Sequence, residues 1–142
     1  MVRSLKDILK VVQLLAPVSY TADTATSGVN VADAGACTLM VNVGATSGNA
    51  FSGSHSVSIT VQHADVDTGG SYADVASTDL HSTESGAIAK ILDATSDASA
   101  VHLIHYKGTK KYVRLNLVET GTVVVPLSVS AILGKNELNP AL

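Results

Sequence analysis

The sequence predicts an all-β domain, a jelly-roll (Greek-key) β-sandwich of about 8–9 antiparallel strands, preceded by a short N-terminal amphipathic helix or arm and followed by an extended C-terminal tail. Two observations carry that prediction. From Val18 onward apolar residues alternate with polar ones in short runs separated by Gly, Ser, Asn and Asp, the period of half-buried strands at the spacing of a sandwich or barrel. The stretches between runs, notably residues 44–53 and 64–71, are long and rich in small residues. Such connections suit a sandwich whose strands return over long distances better than a tight meander.

The elements follow in order. Over residues 4–15, Leu5, Ile8, Leu9, Val12 and Leu15 recur at helical spacing while Lys6, Asp7, Lys10 and Gln13 fall elsewhere, which predicts an amphipathic helix. Ser4 is placed to cap its start, with Asp7 three residues on, and Pro17 forces an extended exit. Leu39, Val41 and Val43 alternate with Met40 and Asn42, and Val57, Ile59 and Val61 with Ser58 and Thr60. Each set is one buried face of a strand. Val113, Leu115 and Leu117 form another, and Val125, Leu127, Val129, Ala131 and Leu133 a fourth; the turn at 119–122 between them predicts a hairpin. Weaker strands are expected at residues 18–22, 28–31, 72–75, 88–92 and 101–106. Gly134 marks a stop, so the chain divides into an arm (1–16), a sandwich (17–134) and a tail (135–142).

A chain of 142 residues is long enough to bury a core without staples. The single Cys37 leaves no partner for an internal disulfide or a cysteine metal cluster. Aromatics make up only 4%, namely Tyr20, Phe51, Tyr72, Tyr106 and Tyr112, so small branched side chains must fill the interior. Charged residues are 15%, which leaves much of the surface neutral and small, a surface suited to broad protein contacts. Charge is unevenly spread. Residues 1–16 carry Arg3, Lys6 and Lys10 against Asp7; residues 17–106 carry nine carboxylates against Lys90; residues 107–142 carry five bases against two acids. The apolar stretch at 11–18 is too short and too interrupted for a secretory signal and has no small-residue cleavage site, and no run reaches transmembrane length. Synthesis and use in the cytoplasm, with no membrane partner, are the expectation.

Few motifs suggest chemistry. Asp65-Val66-Asp67-Thr68-Gly69 imitates the start of a calcium loop, but Gly69 stands at the third ligand position and Ala76 where the closing Glu is needed. A polar turn is the better reading. His55, His63, His81, His102 and His105 lack metal-ligand spacing, and in a strand His102 and His105 point to opposite faces. No nucleophile elbow or phosphate-cradling loop appears, so neither an enzyme nor a cofactor is expected. Lys107, Lys110, Lys111 and Arg114 interleave with Tyr106 and Tyr112, as a single-stranded nucleic-acid platform would require. The acidic overall balance argues instead for a solvated turn or an acidic protein contact, so nucleic acid is not the expected partner.

Five segments carry a resemblance: residues 5–17 (LKDILKVVQLLAP), Val41-Asn42-Val43-Gly44, Ser71-Tyr72-Ala73-Asp74-Val75, residues 106–114 (YKGTKKYVR) and Ala131-Ile132-Leu133-Gly134-Lys135. On these the chain resembles the small jelly-roll structural proteins of tailed bacteriophages that include capsid cement and decoration proteins. The Tyr-x-Gly-x-Lys-x-Tyr-Val-Arg run is the most characteristic and reads as a hairpin signature. The longer loops at 44–53 and 64–70 depart from the pattern. The resemblance implies a virion protein, made in the host cytoplasm, that sits on the capsid exterior and bridges major capsid protein subunits without catalysis.

From that follow the partner expectations. The major capsid protein is the first. A second copy is the other, with a dimer favoured because two-fold interfaces are the commonest. The expected shell contacts are Arg3, Leu5, Lys6, Ile8, Leu9, Lys10 and Val12 of the arm and Lys135, Asn136, Leu138 and Pro140 of the tail. Two alternatives use the same fold: a carbohydrate- or receptor-binding sandwich working through loops 44–53 or 63–71, which aromatic poverty opposes with Tyr72 read as a core residue, and a tail or neck component.

Overall fold

A computed structural model of the chain describes residues 8–135. Ten strands run in order: β1 (Leu9–Tyr20), β2 (Thr24–Ala25), β3 (Val29–Asn30), β4 (Ala34–Val43), β5 (Ser56–Ala64), β6 (Ala73–Asp74), β7 (Ile88–Leu92), β8 (Ala100–Tyr106), β9 (Tyr112–Thr120) and β10 (Val125–Lys135). They form two antiparallel sheets. The first has the order β1-β10-β4-β8. In the second, β9 and β5 lie at the centre; β2 and β3 pair in succession along the free edge of β9, and β6 and β7 along that of β5.

The inward faces of both sheets merge in one apolar core. Leu39, Val41, Ile59, Val61, Val113, Leu115 and Val129 have no exposed surface. Burial of each such side chain is worth about 1.5–3 kcal/mol, and the alternation expected for β4, β9 and β10 is the alternation found, whereas in β5 Thr60 is buried along with Val57, Ile59 and Val61. Small branched residues do fill the interior: Phe51 and Tyr106 are its only buried aromatics among the described residues. Phe51 comes from the long connection after β4, so that loop is anchored by a side chain in the core.

The N-terminal helix is corrected over residues 9–15, which are strand β1, paired with β10 from Leu9↔Gly134 to Tyr20↔Val125; positions 1–7 of the expected arm lie outside the described residues. The helical face named Leu9, Val12 and Leu15 and passed over Leu14. Leu14 is the buried residue, whereas Leu9 is 38% exposed. Val11 and Val12 favour a pleated surface, and the whole length of β10 offers backbone partners, so tertiary pairing overrides a helical pattern only two turns long. Register shifts between Gln13 and Leu15 and between Leu15 and Val18 accommodate the stretch that leads into Pro17. Residues 9–16 thus belong to the sandwich and not to a separate arm.

The hairpin expected between β9 and β10 is likewise corrected, because the two strands lie in different sheets. The chain crosses over at Gly121, whose φ of +71° and lack of a Cβ allow its backbone to pass the Ser54 carbonyl; a Cβ there would stand 2.2 Å from that oxygen. The run at 106–114 is not a hairpin either: it carries the chain from β8 in one sheet to β9 in the other. Gly134 does not stop β10, which continues to Lys135, where a register shift opposes it to Ala34. Tyr72, expected in the core, lies half-buried on the outer side of the second sheet.

Candidate docking surface

The pairing registers define the outward rows of the first sheet. Val11, Ile132, Thr38 and His105 stand side by side across β1, β10, β4 and β8; Gln13, Ser130, Met40 and Leu103 form the next row; Ser128, Asn42 and Val101 follow. None of these positions is Asp, Glu, Lys or Arg. In the four strands together the only such residues are Lys10 and Lys135. Val11 is 63% exposed and Val101 and Leu103 54% each, so apolar side chains stand free on an uncharged sheet. Val11 stands on the β1 edge and Val101 and Leu103 on the opposite β8 edge, with the polar and apolar residues of β10 and β4 between them.

Lys10 lies opposite Leu133, two residues before Lys135, and the two lysines line one shallow pocket with Asn30 and Asp33. Lys107, Lys110, Lys111 and Arg114 lie at the same end, since Cys37 pairs with both Leu133 and Tyr106, and Tyr112 pairs with Ala64. The opposite end carries Asp23, Asp93, Asp97 and Glu119. Asp33, Asp65, Asp67, Asp74 and Asp79 lie at the Lys10 end as well, so charge there is mixed, whereas the far end is acidic.

The structure accounts for the 106–114 run residue by residue. The Tyr106 ring folds over Gly108, where a Cβ would stand 2.4 Å from the hydroxyl oxygen. Lys110 donates its backbone N–H to that hydroxyl at 3.2 Å, and His63 Nδ1 lies 3.0 Å from it, with the two rings edge to face. Burial and the nearby Asp79 carboxylate push Tyr106 ionisation above its usual range, although the Lys110 N–H works the other way. Lys110 Nζ meets Asp65 at 2.5 Å. Arg114 donates to Gln62 Oε1 at 2.9 Å and places its guanidinium 4.1 Å from the centre of the Tyr72 ring. Tyr72 in turn donates its O–H to Asp67 at 2.7 Å. Burial, then the Asp67 carboxylate, raise the Tyr72 ionisation well above normal. Asp65 and Asp67 are thus occupied by Lys110 and Tyr72, in keeping with a polar turn.

The histidines also have local partners. His105 Nδ1 lies 2.9 Å from Thr38 Oγ1, and His102 Nε2 lies 3.1 Å from the Asp97 carbonyl on the inner side of β8. No group of three His, Cys, Asp or Glu side chains suited to a metal ion occurs among the described residues.

Of the expected shell contacts, Leu9, Lys10 and Lys135 are exposed and brought together at one corner. Ile8 is half-buried, and Val12 faces inward against the core. Arg3, Leu5, Lys6, Asn136, Leu138 and Pro140 lie outside the described residues. Sequence reasoning missed the sheet face itself. Its signal was present in the alternate positions of β4 and β10 that carry Thr38, Met40, Asn42, Ser128, Ser130 and Ile132 with no charge among them.

No protein-family model matches the sequence, and no curated protein matches it.

Proposed function

We propose that the chain is a jelly-roll capsid cement protein of a tailed bacteriophage, docking on the outside of the major capsid protein lattice through the outer face of the β1-β10-β4-β8 sheet and the basic corner at Lys10 and Lys135. The jelly-roll reading is supported by the order β1-β10-β4-β8 facing a sheet centred on β9 and β5, with the long strands β4, β5, β8, β9 and β10 alternating between the sheets. The docking reading is carried by one observation, the uncharged outer face with exposed Val11, Val101 and Leu103. Such a face desolvates at little cost because it holds no full charge to strip of water, and apolar contact area is what a lattice-bridging protein needs. A ligand that binds the assembled lattice and not free subunits stabilises the shell by mass action, in proportion to RT ln(1 + [L]/Kd) at each site. Lys10 and Lys135 supply orientation toward an acidic patch.

The test is co-sedimentation with isolated shells of the phage that encodes the chain. Saturable binding and a raised disruption temperature are expected. Ser130→Glu, which sets a carboxylate in the middle of the face, abolishes binding, while Val118→Glu on the outer side of the other sheet retains it. Absence of saturable binding, or equal binding by the Ser130→Glu protein, overturns the reading.

A further inference from the structure

The two edges of the first sheet are built differently. The β1 edge carries Lys10, Pro17 and two register shifts, the devices by which proteins keep an edge from pairing with other chains. The β8 edge, Ala-Val-His-Leu-Ile-His-Tyr, carries no Lys, Pro, Asp or Glu and no register shift against β4. Part of that edge is covered. His81 donates its N–H to the His105 carbonyl at 3.1 Å, and Lys107 donates to the Asp79 carbonyl at 2.9 Å. Because alternate residues of a strand direct their backbone groups to the same side, these two bonds fix the parity: Val101 and Leu103 also turn their N–H and C=O groups away from β4. Neither is covered by the 79–81 segment. Beside them runs an open groove of about 310 Å³ lined by Ser82, Thr83, Glu84, Lys90, Val101 and Leu103, among others.

We propose that this open edge pairs antiparallel with the same edge of a second copy, about a two-fold axis at His102, joining two four-stranded sheets into one continuous sheet. In that register Val101 of each copy opposes Leu103 of the other, and each pair exchanges both of its backbone N–H···O bonds. Their exposed side chains then form apolar cross-strand pairs on the outer face. The lengths agree. The open stretch begins just after Ser99, whose φ of +53° turns the chain away, and it ends where His81 covers His105; under the two-fold, the Ser99 turn of one copy lies opposite the position where cover begins on the other. Charge does not oppose it, since Glu84 and Lys90 in each groove are bound to each other at 2.7 Å. The pairing also doubles the uncharged face while leaving the basic corner beside β1 free. It is independent of any shell, because it is measured on the protein alone.

Sedimentation velocity on the full chain at rising concentration, together with hydrogen exchange of the Val101 amide, provides the test. A dimer is expected, with exchange at Val101 slowed as it forms. Leu103→Pro removes only an outward N–H and Leu103→Lys places a charge on the edge; each weakens the dimer by at least about tenfold, and Leu103→Lys decides the matter where the proline variant does not fold. Val118→Lys, on the other sheet, leaves the dimer unchanged. A monomer at every concentration overturns the proposal, as does a dimer that Leu103→Lys leaves intact or in which the Val101 amide exchanges at its monomer rate.

Discussion

The Tyr106 hydroxyl receives the backbone N–H of Lys110 at 3.2 Å, which pins the chain as it crosses from β8 to β9 over the bare backbone of Gly108. Tyr106→Phe leaves that N–H and His63 without their partner and is expected to cost about 1 kcal/mol. Gly108→Ala forces a methyl group into the phenol and is expected to cost more, about 1–3 kcal/mol. The two losses are not additive, because both act on the same contact. Urea denaturation of the single and double variants checks the order and the coupling.

Arg114 holds the outer side of the second sheet in a different way. Its Nε bonds Gln62 and its guanidinium lies over Tyr72, while Gln62 bonds Asp74 at 2.9 Å, so one side chain ties β9, β5 and β6. Lysine keeps the charge but not the planar stack or the fixed donor. Arg114→Lys is therefore expected to destabilise by about 0.5–1.5 kcal/mol, and Tyr72→Leu to remove most of the difference between Arg and Lys. Thermal unfolding of the four proteins measures that coupling.

These residues also show what was legible in the sequence and why the rest was not. Period-two alternation located β4, β5, β9 and β10 because each buries one face completely, as Leu39, Ile59, Leu115 and Val129 do. The same signal failed at β1, where Leu14 and Leu15 both turn toward the core around a register shift and the local period is neither two nor 3.6. β2 is two residues long and bears no pattern. The change of sheet between β9 and β10 depends on the Gly121 backbone passing Ser54, a contact 67 positions apart that no local window contains. The docking face was hidden for a related reason: Val11, Ile132, Thr38 and His105 become a row only once register is known.

Asp97 ties the acidic end together and gives stability a pH dependence. Burial opposes its ionisation, but the N–H of Ala94, the Lys90 ammonium and the N–H of Asp93 outweigh that and hold the carboxyl below its ordinary value. The stability it contributes is therefore fully present above the unfolded carboxylate value, about 3.9, and is lost as pH falls through the lower folded value. Asp97→Asn is expected to be less stable by about 1–2 kcal/mol at neutral pH, with the gap closing below about pH 4. Chemical denaturation from pH 7 to pH 2 follows the convergence.

Cys37 is buried in β4, and burial pushes its thiol up to about 11. Since the thiolate is the nucleophile, the native protein is expected to resist alkylation at neutral pH. Labelling then reports opening of the first sheet. Its rate is expected to rise with urea in step with the unfolding measured by circular dichroism, and Ala131→Gly, which loosens the neighbouring β10 core position, is expected to accelerate it. Fast labelling of native protein at pH 7 would contradict the packing described for β4.

Lys10 and Lys135 make the docking proposal depend on ionic strength in a specified way. Both are exposed at one corner of an otherwise uncharged sheet, so they steer and orient binding while the apolar face supplies contact area. Reversing both, Lys10→Glu with Lys135→Glu, is expected to weaken shell binding at low salt by about tenfold or more, with little effect on folding because neither side chain lies in the core. Salt screens exposed charges beyond about 10 Å at 0.1 M, so parent and variant are expected to converge as salt rises, with residual binding that Ser130→Glu removes. Binding by the parent that vanishes entirely at high salt would instead make the corner, and not the face, the principal contact.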